Sequence, residues 1–199
     1  MYHLNVSDEW NSIHAEDMWV YNKLILNHHL GHLCGPAGCP VPFSGDYIVR
    51  PSINLLGMGR FSRIETLYKD TEHLHPAEFW CEIFTGTHYS VDFHNQEAKL
   101  VVIGEKNEDD PLYKWKRWTK INIKIEFPSI LHSLKGDYEW INCEFINGNL
   151  IEVQFRRNPD FRHENSIAIP VWDEKSKENY HEYRFIGDKD YKRVGFWVK

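Results

Sequence analysis

The stretch from Trp140 to Phe161, WINCEFINGNLIEVQFRRNPDF, decides the fold around it. Apolar and polar residues alternate on both sides of Asn147-Gly148-Asn149, which is the pattern of a β-hairpin with a tight turn. One face of a half-buried sheet must collect the apolar residues of both strands. A two-residue Asn-Gly loop would put the two apolar sets on opposite faces. We therefore predict a three-residue loop, which pairs Ile146 with Leu150.

This register brings two carboxylates together. It sets Glu144 directly opposite Glu152, and Asn142 opposite Gln154. The Cβ atoms of directly opposed residues lie roughly 4.5–5.5 Å apart, and like charges at that distance repel. Two carboxylates and an amide at this spacing suit a hard divalent cation such as Mg²⁺. The alternative is a solvated carboxylate pair whose charge is relieved by the adjacent Arg156-Arg157 pair.

Length and composition narrow the class of protein. The chain has 199 residues, of which 42% are hydrophobic, and a formal net charge of -6 at pH 7. It suits one domain, or one unit with two lobes. The acidic balance argues against general nucleic-acid binding, which needs clustered positive charge. We expect no membrane association, since no apolar run approaches the roughly 20 residues of a membrane span. Four cysteines without regular spacing and the lack of a secretory signal predict a cytoplasmic protein with reduced thiols.

The N-terminal part predicts a helix over Ala15–Leu30, followed by a loop rich in glycine and proline. The predicted apolar side of the helix consists of Met18, Tyr21, Leu24 or Ile25, and His28 or His29. The helix end and the loop also carry five residues of metal-binding type: His28, His29, His32, Cys34 and Cys39. Their spacing fits no common zinc pattern, so we expect the thiols to pack as small apolar groups, with a metal site as the alternative.

Two further hairpins are predicted upstream of the first. Asp46–Leu56 and Ile64–Tyr68 read as strands joined by Gly57–Arg63, GMGRFSR, whose backbone amides, serine and arginines suit phosphates. Taken alone this signal is weak, because G-x-G also marks ordinary hairpin turns. Glu78–Phe93 reads as a hairpin with its loop at Thr85–Thr87. Its polar face would carry Trp80, Glu82, His88, Ser90 and Asp92.

Taken together, these elements resemble the nucleotide-binding part of the ATP-grasp superfamily. The resemblance covers about Tyr47–Pro159, and Asp17–Leu24, DMWVYNKL, resembles the lead-in helix. It implies an α+β fold of antiparallel hairpins and sheets with a few helices, which form two lobes that hold ATP. The implied organisation is an N-terminal helical lead-in and loop (1–45), a nucleotide-binding unit (46–172) and a C-terminal extension packed on that unit (173–199).

The resemblance also implies roles for individual residues. Arg50, in YIVRP, stands where the family places a phosphate-binding lysine, and Arg156 is a candidate for stabilising the transferred phosphate; these two are the predicted catalytic residues. The implied nucleotide-binding residues are Arg50, Gly57, Gly59, Arg60, Ser62, Arg63, Cys81, Glu82, Phe84 and His88. Within this set, the Cys81–Phe84 backbone would hold adenine, and His88 stands where many members place a ribose-binding glutamate. The implied metal ligands are Glu144, Glu152 and Gln154, with Asn158 as another source of the amide.

The function implied is that of an ATP- and Mg-dependent ligase. It would form an acyl phosphate from a small carboxylate substrate and join it to an amine or similar nucleophile. Arg50, His88 and Gln154 depart from the family's usual lysine, glutamate and asparagine, and little room precedes Asp46 for its substrate-binding domain. One alternative is therefore a catalytically reduced nucleotide-binding protein whose protein partner supplies a substrate domain. The other is a β-rich interaction module without enzymatic activity, which Glu144 and Glu152 on different faces would favour.

Overall fold

The carboxylate hairpin forms one edge of a large antiparallel sheet, and a second, smaller sheet contributes the other lobe. The computed structural model describes residues 13–53, 59–174, 177, 180–188 and 193–199. The helical segments are α1 (Lys23–His29) and the 3₁₀ helices Ala15–Tyr21, Ser129–Ser133 and Pro159–Phe161. The strands are β1 (Cys34–Pro36), β2 (Gly45–Pro51), β3 (Arg63–Leu67), β4 (Glu78–Cys81), β5 (His88–His94), β6 (Glu97–Glu105), β7 (Arg117–Lys120), β8 (Trp140–Ile146), β9 (Asn149–Gln154), β10 (Ile167–Val171), β11 (Arg184–Gly187) and β12 (Gly195–Val198).

The strands form two sheets. The small sheet has the order β1-β4-β2-β3, and the large sheet has the order β11-β12-β10-β7-β6-β5-β8-β9. Neighbouring strands are antiparallel in both sheets. The predicted α+β class, with antiparallel sheets and a few helices in two lobes, is confirmed. The part of the chain that the structure describes contains no helix long and apolar enough to cross a membrane.

The predicted Glu78–Phe93 hairpin is wrong. Strand β4 pairs with β1 and β2 in the small sheet, whereas β5 pairs with β6 and β8 in the large sheet. Residues 82–87 therefore cross from one sheet to the other. A period-two pattern specifies which face of a strand is buried, but not which strand lies beside it.

The carboxylate hairpin has the predicted carboxylate pairing but a different loop. Ile146 pairs with Asn149 across a two-residue turn, and Glu144 nevertheless pairs with Glu152. Asn147 and Gly148 have φ values of 48° and 86°, as the tight Asn-Gly hairpin turn requires. A β-bulge at Ile151 inserts one extra residue and restores the common apolar face. The prediction of a three-residue loop failed because a two-residue turn and a bulge together give the same register beyond Glu144.

The predicted helix over Ala15–Leu30 is broken at Asn22, whose side chain accepts hydrogen bonds from the backbone N–H groups of Leu24 and Ile25. This cap starts a new helix, so the helical periodicity restarts there. The buried face of α1 consists of Lys23, Leu26 and Asn27. Ile25 and the two histidines at its end are exposed, so the predicted apolar side of this segment was wrong.

The buried apolar residues form separate clusters, two of which lie near the carboxylate hairpin and in the small sheet. One cluster fills the space between the large sheet and the N-terminal helices, and includes Leu26, Phe93 and Phe145. A second lies on the outer side of the small sheet around Trp80. Because successive residues in a strand point to opposite faces, Ser90 and Glu144 lie on the face of the large sheet opposite Phe93 and Phe145.

Candidate functional site

Glu152 lies at the centre of the site and is nearly buried. Its Oε2 lies 2.8 Å from Lys23 Nζ, with exposed side-chain fractions of 12% for Glu152 and 5% for Lys23. Gln154 Nε2 donates to Glu152 Oε1 over 2.7 Å. Burial alone would raise the pKa of Glu152, but the charge and hydrogen bond of Lys23, the charge of Arg50 and the Gln154 amide together lower it to about 2. The carboxylate is therefore ionised at neutral pH.

Arg50 brings a second cation to the same place from the small sheet. Its side chain is buried between the lobes, with Cζ 5.3 Å from the centroid of the Phe79 ring. Its Nη2 donates to the carbonyl oxygen of Ile151, the bulge residue, over 3.4 Å. Arg50 Nε is buried and has no hydrogen-bond partner among the residues that the structure describes. A buried guanidinium N–H without an acceptor has the chemistry to bind an oxyanion.

Glu144 lies directly opposite Glu152 and contacts a histidine. His88 Nε2 lies 3.1 Å from Glu144 Oε2, and the two side chains are 11% and 27% exposed. The His88 ring packs edge-on against the Trp115 ring, with centroids 4.5 Å apart. The ring therefore has a fixed position beside one of the two carboxylates.

A buried polar network continues the same face beyond the carboxylates. Asn142 Nδ2 donates to Ser90 Oγ over 2.9 Å and to Asp92 Oδ1 over 2.8 Å. Asp92 also accepts the backbone N–H of Asn158 over 2.8 Å, and Asn158 Nδ2 donates to Ser90 Oγ over 3.1 Å. Burial raises the pKa of Asp92, and the hydrogen bonds of Asn142 and Asn158 only partly oppose it. The network anchors the chain that leaves β9.

Asn158 and Gln154, the two candidate amide ligands, differ in position. The side-chain oxygen of Asn158 accepts the backbone N–H of Asp160 over 3.0 Å and so caps the short 3₁₀ helix. Gln154 instead contacts Glu152 directly. Gln154 is therefore the amide closer to the carboxylate pair, and it turns its nitrogen toward Glu152.

The two arginines after β9 lie at the far end of this face. Arg156 Nη1 donates to the backbone carbonyl of Arg157 over 3.0 Å. Arg157 Cζ lies 4.5 Å from the centroid of the Trp140 ring. The positive charges of both arginines favour the ionised form of the buried Asp92 carboxylate and so act to lower its pKa.

The glycine-rich segment is described from Gly59 onward, and the predicted Gly57 lies outside the described residues. Gly59 has a φ of 64°, and its carbonyl accepts the N–H of Ser62 over 3.2 Å. Arg60 is half-buried in the same turn. Arg63 forms ion pairs with Glu78, at 2.6 Å, and with Glu65, at 2.8 Å. In this conformation Arg63 thus connects β3 to β4.

The crossing segment that begins after Cys81 is tied to the start of β1. Glu82 N–H donates to the carbonyl of Leu33 over 2.9 Å, and Leu33 N–H donates to Glu82 Oε1 over 2.7 Å. The Phe84 ring packs edge-on against His32, with centroids 4.7 Å apart. The backbone expected to face adenine therefore has a defined position at the junction of the two sheets.

The histidine and cysteine cluster near α1 does not assemble. The described residues contain no group of three or more His, Cys, Asp or Glu side chains that could hold a metal ion. His32 Nδ1 lies 2.9 Å from Asn27 Oδ1 instead, and Cys39 is exposed. The same observation means that Glu144 and Glu152 have no third acidic, histidine or cysteine ligand beside them among the described residues. A cation bound to this pair would need the rest of its ligands from amides, water or a bound anion.

A cavity of about 560 Å³ lies on the other side of the large sheet. Its lining includes His32, Tyr89, Phe145 and Leu150, and none of the residues expected to bind nucleotide or to belong to the carboxylate pair. On the carboxylate side of the sheet, Lys23 and Glu152 form an ion pair with each other. A ligand there would have to take over hydrogen bonds that the side chains now make with one another.

Lys23 was missed in the sequence. It follows the capping residue Asn22 and precedes Leu26 and Asn27 at the spacing of one helical face. A lysine on the buried face of a helix needs a partner, which is the signal that could have identified it. The prediction of one continuous helix through Asn22 does not include Lys23 on the buried face.

Comparison with known proteins gives a partial likeness in fold. No family model and no curated protein matches the chain. One solved structure similar to it, from Archaeoglobus fulgidus, is described as an ATP-grasp superfamily protein; it is 12% identical, with a TM-score of 0.42, over 70% of this chain and 46% of that one. Another is the ATP-grasp ligase PsnB complexed with a minimal precursor, which is 17% identical, with a TM-score of 0.42, over 72% and 53% of the two chains. The chain thus spans about half the length of each of these structures.

Proposed function

We propose that this chain is an ATP-dependent ligase that binds Mg·ATP between its two sheets and joins a carboxylate to an amine. The observation that carries the proposal is the convergence of Lys23, Arg50 and the Glu144/Glu152 pair at the junction of the lobes. In Mg·ATP, the metal ion suits the two carboxylates, and the negatively charged phosphates suit the two buried cations. The buried Nε of Arg50 supports the anionic part.

The residues present fit Mg²⁺. Magnesium in phosphate-binding sites is usually held by one or two carboxylates, and phosphate oxygens and water complete its octahedral shell. Glu144 and Glu152 would be those carboxylates, and Gln154 would supply an amide oxygen after its side chain turns over. When bound, Mg²⁺ neutralises part of the phosphate charge. It would also replace His88 and Lys23 as the partners of the two carboxylates.

The residues of this chain would act mainly by positioning and charge neutralisation. Lys23, freed from Glu152, and Arg50 would face the phosphate oxygens. A carboxylate oxygen of the substrate attacks the γ-phosphorus and ADP leaves; an amine then attacks the acyl carbon and phosphate leaves. Arg156, held near the buried network, would face the transferred phosphoryl group.

The other predicted contacts belong to the same proposal. Adenine would meet the backbone of Ile83 and Phe84, since the Glu82 N–H is already bound to Leu33. His88 would contact the ribose or remain with Glu144. The remaining phosphate contacts would come from the glycine-rich segment, namely Gly57, Gly59, Arg60, Ser62 and Arg63.

Calorimetric titration with Mg·ATP tests the metal assignment. We expect saturable binding to the wild-type protein and at least about a tenfold loss of affinity in Glu144→Gln and Glu152→Gln. Glu97→Gln, which changes a side chain that is 74% exposed, should bind as the wild type does. Thermal unfolding of each variant controls for loss of fold. Unchanged affinity in both folded site variants would remove the metal assignment.

Turnover tests the ligase chemistry. The protein should release ADP from Mg·ATP in the presence of a suitable carboxylate and amine pair, and Arg50→Met should reduce that release. A protein that binds Mg·ATP but releases no ADP with a broad panel of pairs would point instead to the partner-dependent alternative. A protein that binds no nucleotide would contradict the proposal altogether.

A further inference from the structure

Two cysteines face each other across β1 and β4. Cys34 is the direct partner of Cys81, and both thiols are free. The Glu82 N–H to Leu33 carbonyl bond flanks this pair, and the Ala37 N–H to Glu78 carbonyl bond repeats the pattern further along. Cys34 and Cys81 therefore occupy a non-hydrogen-bonded position of the antiparallel ladder.

Non-hydrogen-bonded positions bring side chains closest together. Their Cα atoms are about 4.5 Å apart, which lies at the short end of the roughly 4.4–6.8 Å range that disulfides span. Cys81 lies close enough to Cys34 to add to the rise that burial causes in the pKa of Cys34. Cys34 is half-buried and Cys81 is only 3% exposed, so an oxidant reaches Cys34 first.

We propose that Cys34 and Cys81 are an oxidisable dithiol that a hydroperoxide converts to a disulfide, and that the oxidised protein binds nucleotide more weakly. Cys34 Sγ attacks a peroxide oxygen, which gives a sulfenic acid and releases an alcohol, or water in the case of hydrogen peroxide. Cys81 Sγ then attacks the sulfenic sulfur and water leaves. The two thiols lose two electrons and two protons, and the peroxide is reduced.

The buried setting makes this reaction slow at neutral pH. Burial raises the pKa of Cys34 to about 11, and it also raises the pKa of Cys81. The thiolate is the nucleophile, so the rate should rise about tenfold per pH unit below that value. At neutral pH we therefore expect the disulfide to form only at a high oxidant concentration or after prolonged exposure.

The effect on nucleotide rests on the proposed function. Arg50 lies on the same face of the small sheet as Cys81, and its positive charge partly opposes the rise that burial causes in the pKa of the Cys81 thiol. A disulfide would replace this thiol and tie β1 to β4 beside the crossing segment. Couplings between two sites usually change affinity about 5- to 150-fold, so we expect at least about a fivefold weaker affinity for Mg·ATP.

The first experiment detects the bond itself. After hydrogen peroxide treatment at pH 9, the intact protein should lose the mass of two hydrogen atoms, and a cross-linked peptide should join Cys34 to Cys81. Dithiothreitol should reverse the change. Cys34→Ser and Cys81→Ser should each prevent it, whereas Cys143→Ser, in the large sheet, should not. A bond from Cys34 to Cys39, or over-oxidation of Cys34 without a bond, would overturn the proposal.

The second experiment measures Mg·ATP affinity before and after oxidation. The wild type should weaken, and Cys34→Ser treated in the same way should not. A disulfide that leaves affinity unchanged would overturn the regulatory half of the proposal. If the reduced protein binds no nucleotide, the proposed function fails while the cross-linked peptide still decides whether the dithiol exists.

Discussion

At the scale of single residues, Glu152 keeps its charge although it is nearly buried. Lys23 is its direct partner, and Arg50 adds a second positive charge from the other sheet. Removing one partner of a buried ion pair is costly because the other charge is left without compensation. The pair therefore contributes to stability as well as to the proposed binding of metal and phosphate.

Lys23→Met should destabilise the protein by about 3–5 kcal/mol at pH 7. The pKa of Glu152 is lowered to about 2, from an ordinary value of 4.5, so its stabilising effect is full above pH 4.5 and is lost as the pH falls toward 2. Urea unfolding should accordingly give a smaller difference in the free energy of unfolding between wild type and variant at pH 3 than at pH 7. An equal difference at pH 7 and pH 3 would contradict this coupling.

Asp92 offers a test of the buried network. Asp92→Asn keeps an acceptor oxygen for the Asn142 amide and the Asn158 N–H. Asp92→Leu removes it: Asn142 can still donate to Ser90, but the Asn158 N–H loses its acceptor. An unsatisfied buried donor costs about 1–3 kcal/mol, so Asp92→Leu should be the more destabilising change. Because the pKa of Asp92 is raised, the protein also loses stability from this group as the pH rises, and Asp92→Asn should remove that loss. Equal unfolding free energies for the two variants would argue against the network.

At the scale of elements, the tip of the carboxylate hairpin packs against the crossing segment. Asn147 N–H donates to the carbonyl of Thr87 over 3.0 Å. Gly86, beside it, has a φ of 121°, and a Cβ there would lie 2.9 Å from Asn147 Cβ. The turn of one element and the connection between the two sheets thus depend on each other.

Gly86→Ala should therefore be more destabilising than Gly38→Ala. Both glycines have a positive φ, but a Cβ on Gly38 meets nothing within 4 Å. Gly38→Ala should cost about 1–2 kcal/mol, from backbone conformation alone, and Gly86→Ala should add the clash with Asn147. Chemical denaturation at pH 7 measures both. Similar losses for the two variants would show that the hairpin tip moves aside freely.

At the scale of the whole molecule, the C-terminal strands are tied to the chain that leaves the site. Arg193 forms a buried ion pair with Asp160, in the short 3₁₀ helix after β9, and Arg193 Nε lies 3.1 Å from Asp188. Its side chain is 8% exposed. This contact connects β11 and β12 to the segment that carries Arg156.

Arg193→Met should destabilise the protein by about 3–5 kcal/mol, because it leaves Asp160 buried without a cation. Lys199→Met is the matched control: Lys199 pairs with Glu182, but the two side chains are 47% and 76% exposed. Exposed ion pairs are screened by water and contribute little to stability. Thermal unfolding of both variants provides the comparison, and a loss from Lys199→Met as large as that from Arg193→Met would contradict the assigned difference in burial.

Much of this fold could be predicted where local patterns are sufficient. The sequence predicts a hairpin over Asp46–Tyr68, and it is present as β2–β3. The Glu78–Phe93 hairpin was not predicted correctly, since its two strands belong to different sheets. Lys23 was missed because one capping asparagine changed the helical phase.

The sequence by itself determined that Glu144 and Glu152 lie opposite each other, because alternating apolar residues on two strands must share one buried face. It did not determine how the chain achieves this, since a longer loop and a short turn with a bulge satisfy the same condition. Only the tertiary structure decided which cations meet the carboxylates. Lys23 and Arg50 are distant from Glu152 in sequence, and their approach depends on how two sheets and a helix pack, which no local pattern specifies.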